Sequence, residues 1–136
     1  MKIDFYQHRL YIVLPGIIFG KNISRPVRML FDTGATSTTF DISVLLDVEA
    51  KLCPTGPLEL YTSSSKTVAR EYVLNDFRIG SLKFGPIRVQ GTVISPELEV
   101  DGMIGCDLLG DRKTIIDFPN GKLQIVKSKK RTIKRK

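Results

Sequence analysis

The chain has 136 residues, 42% hydrophobic and 26% charged, which is the make-up of one ordinary globular domain. Its two cysteines, Cys53 and Cys106, lie far from each other and from the single histidine, His8, which argues against a disulfide framework, a zinc site and histidine-based catalysis. The formal charge of +7 belongs to one end: seven of the 21 basic residues sit in the last ten positions, which hold no acid, so Met1 to Val126 carry 14 of each sign.

In chain order, Arg9 to Leu14 reads as a strand that Pro15-Gly16 ends, with Ile17 to Phe19 as a second piece and Gly20-Lys21-Asn22 as a turn. This most apolar stretch is too short to span a bilayer, and Lys21-Asn22-Ile23 offers no signal-peptide cleavage site, so the expected location is cytoplasmic. Pro26 to Phe31 is a strand running directly into Asp32-Thr33-Gly34. Asp41 or Ser43 caps a short helix through Val44 to Val48, and Leu52 to Pro57 is a turn-rich connector. Leu58 to Tyr61, a polar tip Thr62 to Lys66, and Thr67 to Leu74 make a hairpin. Asp76 to Ile79, Leu82 to Phe84 and Ile87 to Ile94 are further strands. Thr114 to Phe118 and Lys122 to Val126 form a second hairpin, whose Asn120-Gly121 suits a tight reversal. Many short strands between Gly and Pro turns, with one or two short helices, predict an all-β fold: a small closed barrel over residues 1–126, followed by a basic, solvated tail at 127–136.

Two segments carry chemistry. Met29-Leu30-Phe31 delivers the carboxylate of Asp32 to the end of a strand, where Gly34 turns the chain and hydroxylated residues follow. An isolated Asp at a strand end is ordinarily a turn residue. Roughly 70 residues later comes Met103-Ile104-Gly105, followed by Asp107-Leu108-Leu109.

Together, Leu30-Phe31-Asp32-Thr33-Gly34-Ala35 and Met103-Ile104-Gly105 resemble the two signature segments of single-domain, retropepsin-type aspartic proteases, and the resemblance spans about residues 9 to 126. It implies a closed acid-protease barrel with Asp32 as the catalytic residue, Thr33, Gly34 and Ala35 supporting the active-site loop, and Gly105 as the second-motif glycine. The tip Thr62, Ser63, Ser64, Ser65 and Lys66 lies where the family has its flap, which would cover a bound peptide as an added strand. No metal or other cofactor is implied. The chain has one Asp-Thr-Gly segment, and the family's mechanism takes two carboxylates, so the resemblance implies a homodimer in which each subunit gives one Asp32 and Thr33 bonds across the two-fold axis. The expected activity is aspartic endopeptidase on peptide or protein substrates. Retroviral members usually carry an Asp and an Arg at the positions of Thr36 and Cys106, and they lack the hairpin Thr114 to Val126. This chain is therefore closer to cellular or bacterial members, with an interface expected to draw on that hairpin.

Smaller residues are read plainly: Asp107 as a helix cap, Cys106 as a small buried hydrophobe, and Tyr61 and Tyr72 as packing against the barrel. The alternative functions are a non-catalytic dimerisation or peptide-binding module of the same fold, and a basic barrel that binds nucleic acid through its tail. No aromatic residue interleaves with the tail to stack on bases, so neither specific nucleic-acid binding nor membrane insertion is expected.

Overall fold

The computed structural model describes residues 2–8, 11–61 and 66–127. Their strands are β1 (Lys2–Asp4), β2 (Tyr6–His8), β3 (Tyr11–Phe19), β4 (Ser24–Phe31), β5 (Thr39–Asp41), β6 (Lys51–Leu52), β7 (Leu58–Tyr61), β8 (Lys66–Leu74), β9 (Asp76–Ile79), β10 (Leu82–Lys83), β11 (Ile87–Thr92), β12 (Gly102–Ile104), β13 (Arg112–Asp117) and β14 (Lys122–Lys127). Two short helices, α1 (Ile42–Asp47) and α2 (Cys106–Leu109), interrupt them, with a 3-10 turn at Pro96–Leu98. The fold is all-β, as the alternating short segments imply. The expected tail, 127–136, lies outside the described residues except for Lys127, which belongs to β14 and not to a tail, and the expected flap tip, 62–66, lies outside them except for Lys66, which opens β8. No helix among the described residues is long and apolar enough to cross a membrane.

Eleven strands form one sheet in the order β10-β9-β3-β4-β12-β5-β11-β8-β6, with β2 also on β3 and β7 also on β8. The pairing is a path with two ends, and a ladder joining them into a closed barrel is not among the described pairings. A second sheet, β1-β14-β13, brings the chain's first strand beside its last.

Pro15-Gly16 does not end the first strand. β3 runs through it, with Pro15 opposite Arg28 and Gly16 opposite Val27. On the other side of β3, β2 pairs only as far as Val13 and β9 begins at Ile17. Pro15 thus falls in a gap where no ladder bond is asked of its missing N–H.

The core follows the alternation. Leu14, Ile18, Met29, Leu45, Leu74, Ile79, Ile104 and Leu123 are fully buried. Phe77 is central, edge-on to Phe40 (5.5 Å between centroids) and stacked on Phe84 (5.4 Å). Tyr72 is buried among these residues, the packing role expected for it, whereas the side chain of Tyr61 lies outside those described.

Of the two candidate caps for α1, Asp41 is the one used: its Oδ2 accepts the Ser43 N–H (3.1 Å) and hydroxyl, and its Oδ1 accepts the Ile94 N–H (2.9 Å). Burial pushes the Asp41 carboxyl up, but these donors and the charge of Arg25 outweigh it and hold the pKa below the ordinary value. The C-terminal hairpin reverses through four residues, Phe118 to Gly121, one more than the expected turn, because Phe118 falls in the turn and not in the strand. Only Gly121 takes positive φ (61°); Asn120 instead donates its side-chain amide (2.9 Å) and N–H (3.2 Å) to Asp117, holding that carboxyl below its usual range.

Candidate active site

Strand β12 lies between β4, which it meets in parallel, and β5, which it meets antiparallel. The chain must therefore pass from the end of β4 at Phe31 to the start of β5 at Thr39 by crossing over the far end of β12. Residues 32–38 make that crossing, and Asp32 is its first residue, half-buried, with its N–H bonded to the carbonyl of Ile104 (3.1 Å). A strand tip fixed on both sides is a rigid mount for a functional carboxylate.

The crossing explains Gly105. A Cβ there would lie 2.8 Å from the carbonyl carbon and oxygen of Ser37 and 2.9 Å from the carbonyl oxygen of Ala35, closer than real Cβ contacts allow. Within the loop, the Gly34 N–H donates to Asp32 Oδ1 (3.0 Å) and the Ala35 N–H to the Asp32 carbonyl (3.2 Å), a tight turn around the carboxylate. A Cβ at Gly34 would sit 3.2 Å from Asp32 Oδ1. Thr33 and Gly34 are exposed and Ala35 half-buried, so this turn faces outward from the single chain.

Helix α2 follows Gly105 at once and holds the same loop. The Cys106 N–H donates to the Ala35 carbonyl (2.8 Å) and the Asp107 N–H to the Thr36 carbonyl (3.2 Å). The Cys106 thiol donates to the Thr33 carbonyl (3.1 Å). Cys106 is exposed, which corrects its reading as a buried hydrophobe; buried Cys53 fits that description instead. Asp107 is not the cap either. Gly105 occupies the cap position of α2, and the Asp107 carboxylate accepts the N–H (3.0 Å) and hydroxyl (2.7 Å) of Thr38. Thr38 is fully buried, and its hydroxyl in turn accepts the Gly105 N–H (3.1 Å). Sequence reasoning passed over Thr38 and misread Asp107. The only local signal was a polar pair set in the two motifs, 69 positions apart.

The structure thus brings Asp32, Thr33, Gly34, Ala35 and Gly105 together at one crossing. Of the expected flap, Lys66 is described: it opens β8, lies opposite Tyr61 and pairs its ammonium with Glu59 (2.8 Å) across the hairpin. Thr62, Ser63, Ser64 and Ser65 lie outside the described residues. Among the described residues no three His, Cys, Asp or Glu side chains gather in a way that could hold a metal ion.

A family model described as aspartyl protease matches residues 14–108, a span that begins in β3, contains Asp32 and Gly105, and ends in α2. The chain belongs to the aspartyl protease family. Among solved structures it is similar to one described as a retropepsin-like aspartic protease from Rickettsia conorii, at a TM-score of 0.61 and 18% identity, over 92% of this chain and 88% of that one. At that identity the likeness is one of fold, so the architecture is retropepsin-like. No curated protein sequence matches the chain significantly.

Proposed function

We propose that this chain is an aspartic endopeptidase, active as a homodimer in which two copies of Asp32, one from each subunit, activate a single water against a peptide bond. The observation that carries the reading is Asp32 itself: a half-buried carboxylate fixed at the crossing of its loop over β12, in a chain of the aspartyl protease family. One Asp-Thr-Gly segment supplies one carboxylate, and the chemistry takes two.

Two carboxylates that face each other closely cannot both ionise without mutual repulsion, so they hold one proton between them. The ionised member accepts a proton from water as the oxygen attacks the scissile carbonyl carbon. The protonated member donates its proton to the carbonyl oxygen, giving a neutral diol. The protonated member then gives its proton to the amide nitrogen while the ionised member takes one from a diol hydroxyl; the C–N bond breaks, an amine and a carboxylic acid leave, and the pair again holds one proton. Thr33, exposed at the turn, would bond its symmetry mate across the two-fold axis, and the hairpin β7–β8 would serve as the flap over the bound peptide. The subunit interface draws on the sheet β1-β14-β13, in which β1 and β13 are edge strands.

The test is Asp32→Asn in the full chain, assayed on a peptide library. Cleavage by the wild type that the variant loses by at least about 1,000-fold supports the mechanism. Equal cleavage by both rejects it, and a wild type that binds peptides without cutting them indicates a binding module of the same fold.

A further inference from the structure

We propose that Asp107 is the positioning residue that sets the geometry of Asp32, a role that rests on the endopeptidase reading above. The loop 32–38 is held by backbone bonds at Asp32, Ala35 and Thr36, and at its far end by the Asp107 carboxylate.

Asp107 Oδ2 accepts the Thr38 N–H (3.0 Å), and Oδ1 accepts both the Thr38 hydroxyl (2.7 Å) and the Leu108 N–H (2.9 Å). All three partners come as donors, so both oxygens have to accept. Thr38 passes the restraint on, because its hydroxyl, while donating to Asp107, accepts the N–H of Gly105, the residue over which the loop crosses. One carboxylate therefore ties the end of the loop, the glycine beneath it and the first turn of α2 into one unit. The backbone N–H groups of Cys106 and Asp107 add the carbonyls of Ala35 and Thr36. Asp32 stands at the other end of this clamped segment, and its own turn through Gly34 and Ala35 inherits the position.

An amide cannot replace the carboxylate. With an asparagine oxygen in the place of Oδ1, its NH2 confronts the Thr38 N–H. With the oxygen in the place of Oδ2, the NH2 confronts the Leu108 N–H and forces the Thr38 hydroxyl to turn away. Either orientation leaves a donor facing a donor. A displacement of the loop by a fraction of an ångström then reaches Asp32, where reacting groups tolerate little misplacement.

The experiment compares the wild-type full chain with Asp107→Asn, Thr38→Val and Thr38→Ser, using native-state hydrogen exchange and peptide cleavage. In Asp107→Asn the amides of Gly34, Ala35 and Gly105 are expected to exchange at least about tenfold faster, while the ladder between β3 and β4 keeps its rates. The same variant should lose about 100-fold in kcat with KM changed by less than about threefold. Thr38→Val should follow it, and Thr38→Ser, which keeps the hydroxyl, should behave as wild type. If Asp107→Asn does not fold, the Val and Ser pair at Thr38 carries the comparison. Unchanged exchange at the three amides overturns the proposal, as does a loss confined to KM. Exchange altered as expected, in a protein whose Asp32→Asn variant cuts as well as wild type, supports the clamp and removes the protease reading, so the two failures are separable.

Discussion

Replacing Gly105 with alanine tests the crossing from which the site is built. The added methyl would lie 2.8 Å from the Ser37 carbonyl group and 2.9 Å from the Ala35 oxygen, where ordinary contact begins at 3.4 Å. The obstructing atoms are backbone, so relief requires the loop and the end of β12 to part by about half an ångström, the scale of strain expected from overpacking. That movement stretches the 3.1 Å bond from the Gly105 N–H to Thr38 beyond useful length. Overpacking of this kind costs about 1–3 kcal/mol and the lost bond about 1 kcal/mol more. Together they predict a destabilisation of about 2–4 kcal/mol, read as a fall of about 1–3 M in the urea midpoint. Wild type and variant must be compared at equal chain concentration, because the proposed dimerisation would add to apparent stability. Gly56, with nothing within 4 Å of its notional Cβ, supplies the control, and Gly56→Ala should move stability by less than about 0.5 kcal/mol. A Gly105→Ala protein that unfolds with the wild type would refute the crossing as described.

Acid stability should depend on Asp76. Burial pushes its carboxyl up, but Arg78 Nε (2.6 Å), the Gly85 N–H (2.8 Å) and the Phe77 N–H (2.9 Å) outweigh burial and hold the pKa below its usual value. A group depressed in this way adds stability above its unfolded value of about 3.9, and that stability is lost as pH falls through the folded value. Asp76→Asn should therefore cost about 1–3 kcal/mol at pH 7 and less at pH 3, measured by denaturation at both; an equal loss at the two pH values contradicts the assignment. Specific activity should also fall on dilution below the dimer dissociation constant, and constant activity per chain in a solution that sedimentation shows to be monomeric contradicts the shared site.

Much of this was legible in the sequence because it depends on neighbouring residues. The alternation of apolar and polar positions marked β7, β8 and β9, and Asp41 was one of two candidate caps for α1, since a cap acts only two residues away. Asp32 and Gly105 were found through the flanks and order of two segments, the part of a site that local pattern retains. Local rules failed where a neighbouring strand decided the outcome. Pro15 punctuates a strand only if its missing N–H is needed there, and the gap between β2 and β9 removes the need. The turn starts one residue earlier than expected, at Phe118, and Asn120 binds it back to Asp117 through its N–H and side-chain amide.

What the amino-acid order determined by itself is the all-β character, the strand that presents Asp32 and the Gly105 of the second segment, whose role under the crossing loop only the structure shows. The tertiary structure alone decided that β1 would lie against β14 at the far end of the chain, that Cys106 would face solvent, and that Asp107 would reach Thr38 instead of capping its own helix. The physical reason is range. Propensity, capping and turn chemistry act over a few residues, whereas a buried hydroxyl takes whichever partner the folded sheet sets beside it, here a carboxylate 69 positions away.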